Sequence, residues 1–203
     1  MSQPEIDSFS HSPRHHSIRA AHPGMTSHRG VAPANAILRA PCAGKSEAWL
    51  RLGARRWPVM LGRRGISHIP REGDLATPAG KLTPVCVFYR AGRATRPRTA
   101  LTLHPLNPDD GWCDAPYHPL YNRFVRFPFA AGAERLWRED HAYDLLVVLD
   151  FNVHPRAQGR SSAIFLHLMH DDQRPTAGCI AMHEQHLREL LRHLAPGSTI
   201  FVR

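Results

Sequence analysis

Two residues in the C-terminal third of the chain have the type and setting for covalent chemistry. His167 lies in Ile164-Phe165-Leu166-His167-Leu168, and Cys179 lies in Pro175-Thr176-Ala177-Gly178-Cys179-Ile180-Ala181-Met182. Each is a single reactive side chain in an apolar run. A thiol is mostly protonated near neutral pH, and its thiolate is the species that attacks a carbonyl. An adjacent imidazole accepts the proton and stabilises the thiolate. A glycine just before the nucleophile permits a tight turn that brings backbone amides close to the reacting carbonyl. The N–H of Cys179 is then placed to stabilise an oxyanion. The pair points to an enzyme with Cys179 as nucleophile and His167 as general base, and such an enzyme is expected to be alkylated selectively at Cys179 at neutral pH. The plainer alternative is a small apolar core thiol and a hydrogen-bonded core histidine. His167, His170 and Cys179 form an incomplete metal set with no fourth ligand, so no metal or other cofactor is expected.

The elements that must position this pair are mostly strands. Short apolar, β-branched and aromatic runs separated by Gly and Pro occur at 36–39, 48–52, 57–61, 84–89, 101–104, 144–149, 163–168 and 199–202, which predicts a mainly β domain. The run 144–149 shows no polar alternation and reads as a central strand covered on both faces. His167 projects from the strand 163–168 on the side of Phe165 and Met169. The loop after it is long enough to fold back as a hairpin-like excursion and bring Cys179 to it. One helix is expected over 183–194, where Leu187, Leu190, Leu191 and Leu194 form a single stripe that Pro196-Gly197 ends. The least regular stretch is 107–126, read as a long loop packed over one face of the sheet.

The bulk properties bound the rest. The chain has 203 residues, 42% of them apolar, and a formal charge of +9. That suits one ordinary domain, and a tail over residues 1–35 preceding a domain over 36–203. The tail is rich in Ser, Pro, Arg and His (His11, His15, His16, His22, His28) and has no sustained periodicity. Lys45 and Lys81 are the lysines and every other strong base is arginine. A basic surface attracts polyanions, but the arginines are scattered rather than interleaved with aromatics, so nucleic acid is not an expected partner. No run approaches the roughly 20 apolar residues of a membrane span, and no secretory signal is visible at the N-terminus. The cysteines Cys42, Cys86, Cys113 and Cys179 match no common zinc spacing, and mostly free thiols are expected.

The segment from His167 through Thr176-Ala177-Gly178-Cys179-Ile180 resembles the signature of L,D-transpeptidase (YkuD-type) catalytic domains, in which a strand-end histidine precedes a Ser/Thr-x-Gly-Cys box. Upstream, Gly73-Asp74-Leu75-Ala76-Thr77-Pro78-Ala79-Gly80 is similar to that family's Gly-Asp-x-x-Thr-Pro-x-Gly turn. The resemblance covers about 36–203 and implies a β-sandwich-like fold with a few short helices. It implies an acyl transferase on peptidoglycan stem peptides that forms a Cys179 thioester resolved by an amine, in cell-wall cross-linking or remodelling. Gly178 and Thr176 would shape the oxyanion pocket, and a backbone carbonyl near Leu168 or in the following loop would orient His167. A peptide hydrolase on the same scaffold and a non-catalytic wall-binding module are the alternatives. The implied place is the cell envelope or periplasm, although no export signal is visible, and a cytoplasmic role is the alternative; oligomeric state is not readable. Two departures stand out: Ala177 where the family commonly has His, and Ala181 where it often has Arg.

Overall fold

Outward and inward residues alternate along most of the chain's strands, and this alternation builds a large sheet with two different outer regions. In the computed structural model, which describes residues 30–203, the strands are β1 (Asn35–Arg39), β2 (Glu47–Leu52), β3 (Arg55–Met60), β4 (Ile66–Ser67), β5 (Thr77–Pro78), β6 (Gly80–Leu82), β7 (Pro84–Tyr89) and β8 (Thr102–Pro105). They continue as β9 (Asp110–Cys113), β10 (Arg123–Arg126), β11 (Ala133–Arg135), β12 (Leu145–Leu149), β13 (Phe165–Leu168) and β14 (Ile180–Met182), then helix α1 (Glu184–Leu191) and β15 (Thr199–Val202). The histidine-rich segment expected as a tail lies almost wholly outside the described residues.

Ten strands form one mixed sheet in the order β6-β15-β1-β2-β3-β14-β13-β12-β7-β8. Its inner face carries Leu38, Leu50, Val59, Val147, Leu166, Ile180 and Ile200, all essentially buried, and the leucine stripe of α1 packs among them. Burying that aliphatic face is the main stabilising contribution, about 25 cal/mol for each Å² removed from water. The central strand β12 is buried at every position, as its unbroken apolar run predicts. The mainly β character is as expected, but there is one short helix among the described residues rather than a few.

Two further expectations need correction. The stretch 107–126 is not an irregular loop: it contains β9 and β10, which join β11 in a separate three-stranded antiparallel sheet with β9 in the middle. It does pack over a face of the large sheet. Backbone pairing on both sides of β9 overrides the weak strand preference of Asp110-Gly111. Gly111 is required there, because a Cβ would lie 2.6 Å from the Phe127 ring. The second correction concerns β13 and β14, which run parallel, so the segment between them crosses back along the sheet instead of turning as a hairpin.

Candidate active site

The parallel register of β13 and β14 sets the geometry of the pair. Leu166 lies across from Ile180 and His167 across from Ala181. Cys179 and Ala181 are two residues apart and share a face, so Cys179 and His167 project from the same side of neighbouring strands. They are diagonal neighbours, with backbones offset by about 7 Å along the strand direction. That face is the outer one, opposite the aliphatic core. The small sheet covers it: Trp112 of β9 packs edge-on against Phe165 at 5.4 Å between ring centroids. Cys179 is 9% exposed and His167 4%.

Each reactive group is held by backbone. His167 Nδ1 is 2.8 Å from the Leu168 carbonyl oxygen. A carbonyl only accepts, so Nδ1 carries the proton and Nε2 is left with the lone pair. Of the two expected sources of an orienting carbonyl, Leu168 and the following loop, it is Leu168 that supplies it. Tyr143 stands edge-on to the imidazole, 5.2 Å between centroids, and donates its hydroxyl to Glu134 Oε1 at 2.5 Å. The Cys179 thiol donates to the Ala163 carbonyl at 3.2 Å and accepts the Phe165 N–H at 3.4 Å. Ala163 is itself in the left-handed region with φ of 51°, a conformation uncommon for a residue with a side chain. The Asn122 side chain holds that turn, accepting from the Ala163 N–H at 3.1 Å and from Trp112 Nε1 at 2.8 Å.

Burial sets the protonation states. It pushes the Cys179 thiol up to about 12, with the Glu134 carboxylate adding to the shift. It pushes His167 down to about 4, the Leu168 carbonyl partly opposing it. Near neutral pH the site therefore rests as a neutral thiol and a neutral imidazole. Burial therefore favours the neutral thiol at Cys179, and the exposed cysteine is Cys42.

The loop before Cys179 closes on itself and on the upstream motif. Thr176 Oγ1 donates to the Cys179 carbonyl at 2.7 Å, and the Gly178 N–H donates to Thr176 Oγ1 at 3.1 Å. Gly178 has φ of 145°, and a Cβ there would lie 3.1 Å from the Ala76 carbonyl oxygen. Thr77 is completely buried, and its hydroxyl donates to the same Cys179 carbonyl at 3.3 Å. The Thr-Pro turn and the Gly-Cys box, read separately in the sequence, are thus one structure. Thr77 belongs to the Thr-Pro motif, but its task is invisible in the sequence because its partner is 102 residues away. Asn122, Tyr143 and Glu134 were missed altogether as site residues.

The two departures fall at different depths. Ala177 is exposed two residues before Cys179, while Ala181 is buried directly across from His167, where a longer side chain would need room. An open groove of about 520 Å³, lined by Arg64, Ile66, His68, Arg71, Asp74 and Ala76, reaches the Cys179 loop on its Ala76 side. Among the described residues no cluster of His, Cys, Asp and Glu is arranged to hold a metal ion, and no helix is long and apolar enough to cross a membrane.

No curated protein and no solved structure matches the chain. The family model of the L,D-transpeptidase catalytic domain matches residues 47–202, a span that holds both motifs, the large sheet from β2 onward and the small sheet. The chain belongs to the YkuD family of L,D-transpeptidase catalytic domains, enzymes whose activity is of transpeptidase type and directed at peptidoglycan.

Proposed function

We propose that the protein is a cysteine acyltransferase that cross-links or remodels peptidoglycan stem peptides. The observation that supports this best is the placement of Cys179 and His167 on one face of adjacent parallel strands, with His167 Nδ1 tied to Leu168 and Nε2 left as acceptor. Cys179 Sγ attacks the carbonyl of the L-centred diamino acid residue. As the C–S bond forms, the thiol turns from Ala163 to the imidazole, and Nε2 takes its proton. The resulting imidazolium returns a proton to the departing D-amino acid, whose C–N bond breaks to leave a thioester. An amine of a neighbouring stem then attacks the thioester, restoring the thiol and completing the new amide.

Starting from a neutral pair suits this sequence. The imidazole is unprotonated and able to accept over the whole neutral range, and the thiolate forms only as the carbonyl is attacked. The Cys179 N–H stabilises the oxyanion, and Thr176 and Gly178 shape its pocket by fixing the turn around it. The basic groove that meets the loop at Ala76 suits the carboxylates of a stem peptide, with Arg64 and Arg71 along its wall. A peptidoglycan substrate supports a place at the cell envelope.

The test is mass spectrometry of purified muropeptides incubated with the wild type and with Cys179→Ala. Wild type is expected to form a covalent adduct and release the terminal D-amino acid, with a cross-linked product in which the amine has replaced it. The variant should lose at least about 10³-fold in rate, as nucleophile deletions do. Equal turnover by both proteins would remove Cys179 from the mechanism, and products carrying water instead of an amine would make the protein a hydrolase.

A further inference from the structure

In the half of the large sheet farthest from the active site, no described residue covers the outer face. Strands β6, β15, β1, β2 and β3 send their inward residues into the aliphatic core, and α1 covers the inner side. Outward, the cross-strand register sets Ile37 opposite Phe201 on one side and opposite Arg51 on the other, and Arg39 opposite Trp49. Trp49 and Phe201 are each 40% exposed, although both are large enough to be core residues. Arg56 lies over the Trp49 ring at 3.8 Å. Ile37, Arg39, Trp49, Arg51, Arg56 and Arg203 line an open groove of about 370 Å³, and Phe201 lies beside Ile37 across the strand pair.

The charge is as unbalanced as the apolarity. Glu47 is the one acidic residue within these five strands. None of Arg39, Arg51, Arg56 and Arg203 makes an ion pair with any described residue, whereas most arginines around the small sheet do. Four guanidinium groups with no ion pair among the described residues surround an exposed indole, an exposed phenyl and a half-buried sec-butyl group, which suits a partner that is anionic and also takes apolar side chains. A hydrated acidic polymer uses only the charges. A second copy of the same face would set arginine against arginine. The interfacial layer of an anionic bilayer meets both needs, since phosphates pair with arginine and aromatic rings are favoured at headgroup depth.

We propose that this face docks the protein on the anionic surface of a phospholipid bilayer. The arginines sit at the phosphate level, and Trp49, Phe201 and Ile37 enter the interfacial layer. The active site lies on the other half of the outer face, beneath the small sheet, and shares none of these residues. This inference does not depend on the reaction assigned to Cys179.

The test is co-sedimentation of the full chain with vesicles of pure phosphatidylcholine, and of phosphatidylcholine mixed with equal phosphatidylglycerol. Binding is expected to the mixed vesicles alone and to weaken as salt shortens the reach of the charges. Arg39→Glu combined with Arg51→Glu should weaken it by about 10-fold or more, on the scale of roughly one kcal/mol per basic residue. Trp49→Ala should weaken it several-fold, in salt as well. These side chains are exposed, so both variants should keep the wild-type melting temperature, which a thermal scan checks. Three results would overturn the proposal. One is no binding to mixed vesicles. Another is wild-type binding by the double arginine variant, which would move the contact to another part of the chain. The third is equal binding of dextran sulfate by wild type and Trp49→Ala with the vesicles ignored, which would make the face a site for a soluble polyanion.

Discussion

The outer surface of the large sheet has two halves built from the same kind of strand, and they have opposite fates. Over β13 and β14 the small sheet excludes water, and the groups beneath it are a thiol pushed up to about 12 and an imidazole pushed down to about 4. Over β15, β1 and β2 nothing in the described chain lies above the strands, and indole, phenyl and guanidinium groups face solvent. The contrast teaches that reactivity here is not a property of β13 and β14 alone. Trp112 and Tyr143, brought over the strands by the small sheet and by the segment leading into β12, lower the polarity around Cys179 and His167, and Glu134 adds a carboxylate that opposes the thiolate. The uncovered half retains its charge and its apolar groups together, which suits a surface that meets a partner and not a reaction centre.

The largest expected effect separates the two tryptophans. Trp112 is 5% exposed, stacks edge-on with Phe165 and donates to Asn122, which in turn holds the turn at Ala163. Trp112→Ala should destabilise the fold by about 3–5 kcal/mol, the usual cost of a large aromatic cavity. Trp49→Ala, on the open half, should cost under about 1 kcal/mol. Urea unfolding of both variants measures the difference. Similar losses would mean that the small sheet is loosely docked and that the two halves are energetically alike.

How much of this was readable from the sequence depends on how local each signal is. Strands β2, β3, β7, β12 and β15 are announced by their own side chains, and α1 by its leucine stripe, though the helix stops at Leu191 while Leu194 is buried in the turn beyond. Cys179 and His167 stand out because each is a lone reactive group in an apolar run. The three strands of the small sheet are not readable, because Asp110-Gly111 and Ala133-Glu134-Arg135 become strands only by pairing with one another. The parallel pairing of β13 with β14 is likewise invisible, since a crossing segment and a hairpin of similar length look alike in composition. Thr77, Asn122, Tyr143 and Glu134 act through partners distant in the chain or through burial, and neither leaves a local pattern.

A second and smaller effect reports the dryness of the covered half through pH. His167 titrates near 4 in the folded protein and near 6.5 in a free chain, so folding favours its neutral form. Its contribution is fully present above pH 6.5, where both states are neutral. It is lost as pH falls from 6.5 towards 4, because the unfolded chain binds the proton first. The total is about 3 kcal/mol, from 1.36 kcal/mol per pH unit. His167→Gln should flatten the dependence of unfolding free energy on pH between 7 and about 5 by close to 2 kcal/mol, measured by urea titration at each pH. An unchanged slope would mean that water reaches the imidazole and that the cover over it is open.

The smallest expected effect compares two arginines that lie over aromatic rings. Arg138 stands 5.0 Å from the Tyr143 ring centroid and is 3.8 Å from Glu134 Oε1, and it pairs with Asp140 at 2.5 Å. Arg56 stands 3.8 Å from the Trp49 ring centroid and makes no ion pair among the described residues. The closer ring contact is therefore on the open half, and distance alone would rank Arg56 first. Solvent reverses the order. An exposed cation–π contact contributes about 0.5–1 kcal/mol, so Arg56→Ala should cost no more than that and leave acyl transfer unchanged. Arg138→Ala leaves Glu134, already held above the usual carboxylate range by burial, without its cation beside Tyr143 and Cys179. That should cost about 1–3 kcal/mol and slow the alkylation of Cys179 measured at high pH, because the unscreened carboxylate opposes the thiolate. If Arg56→Ala proved the more costly of the two, ring contact rather than removal of water would govern these pairs, and the distinction between the halves would lose its energetic basis.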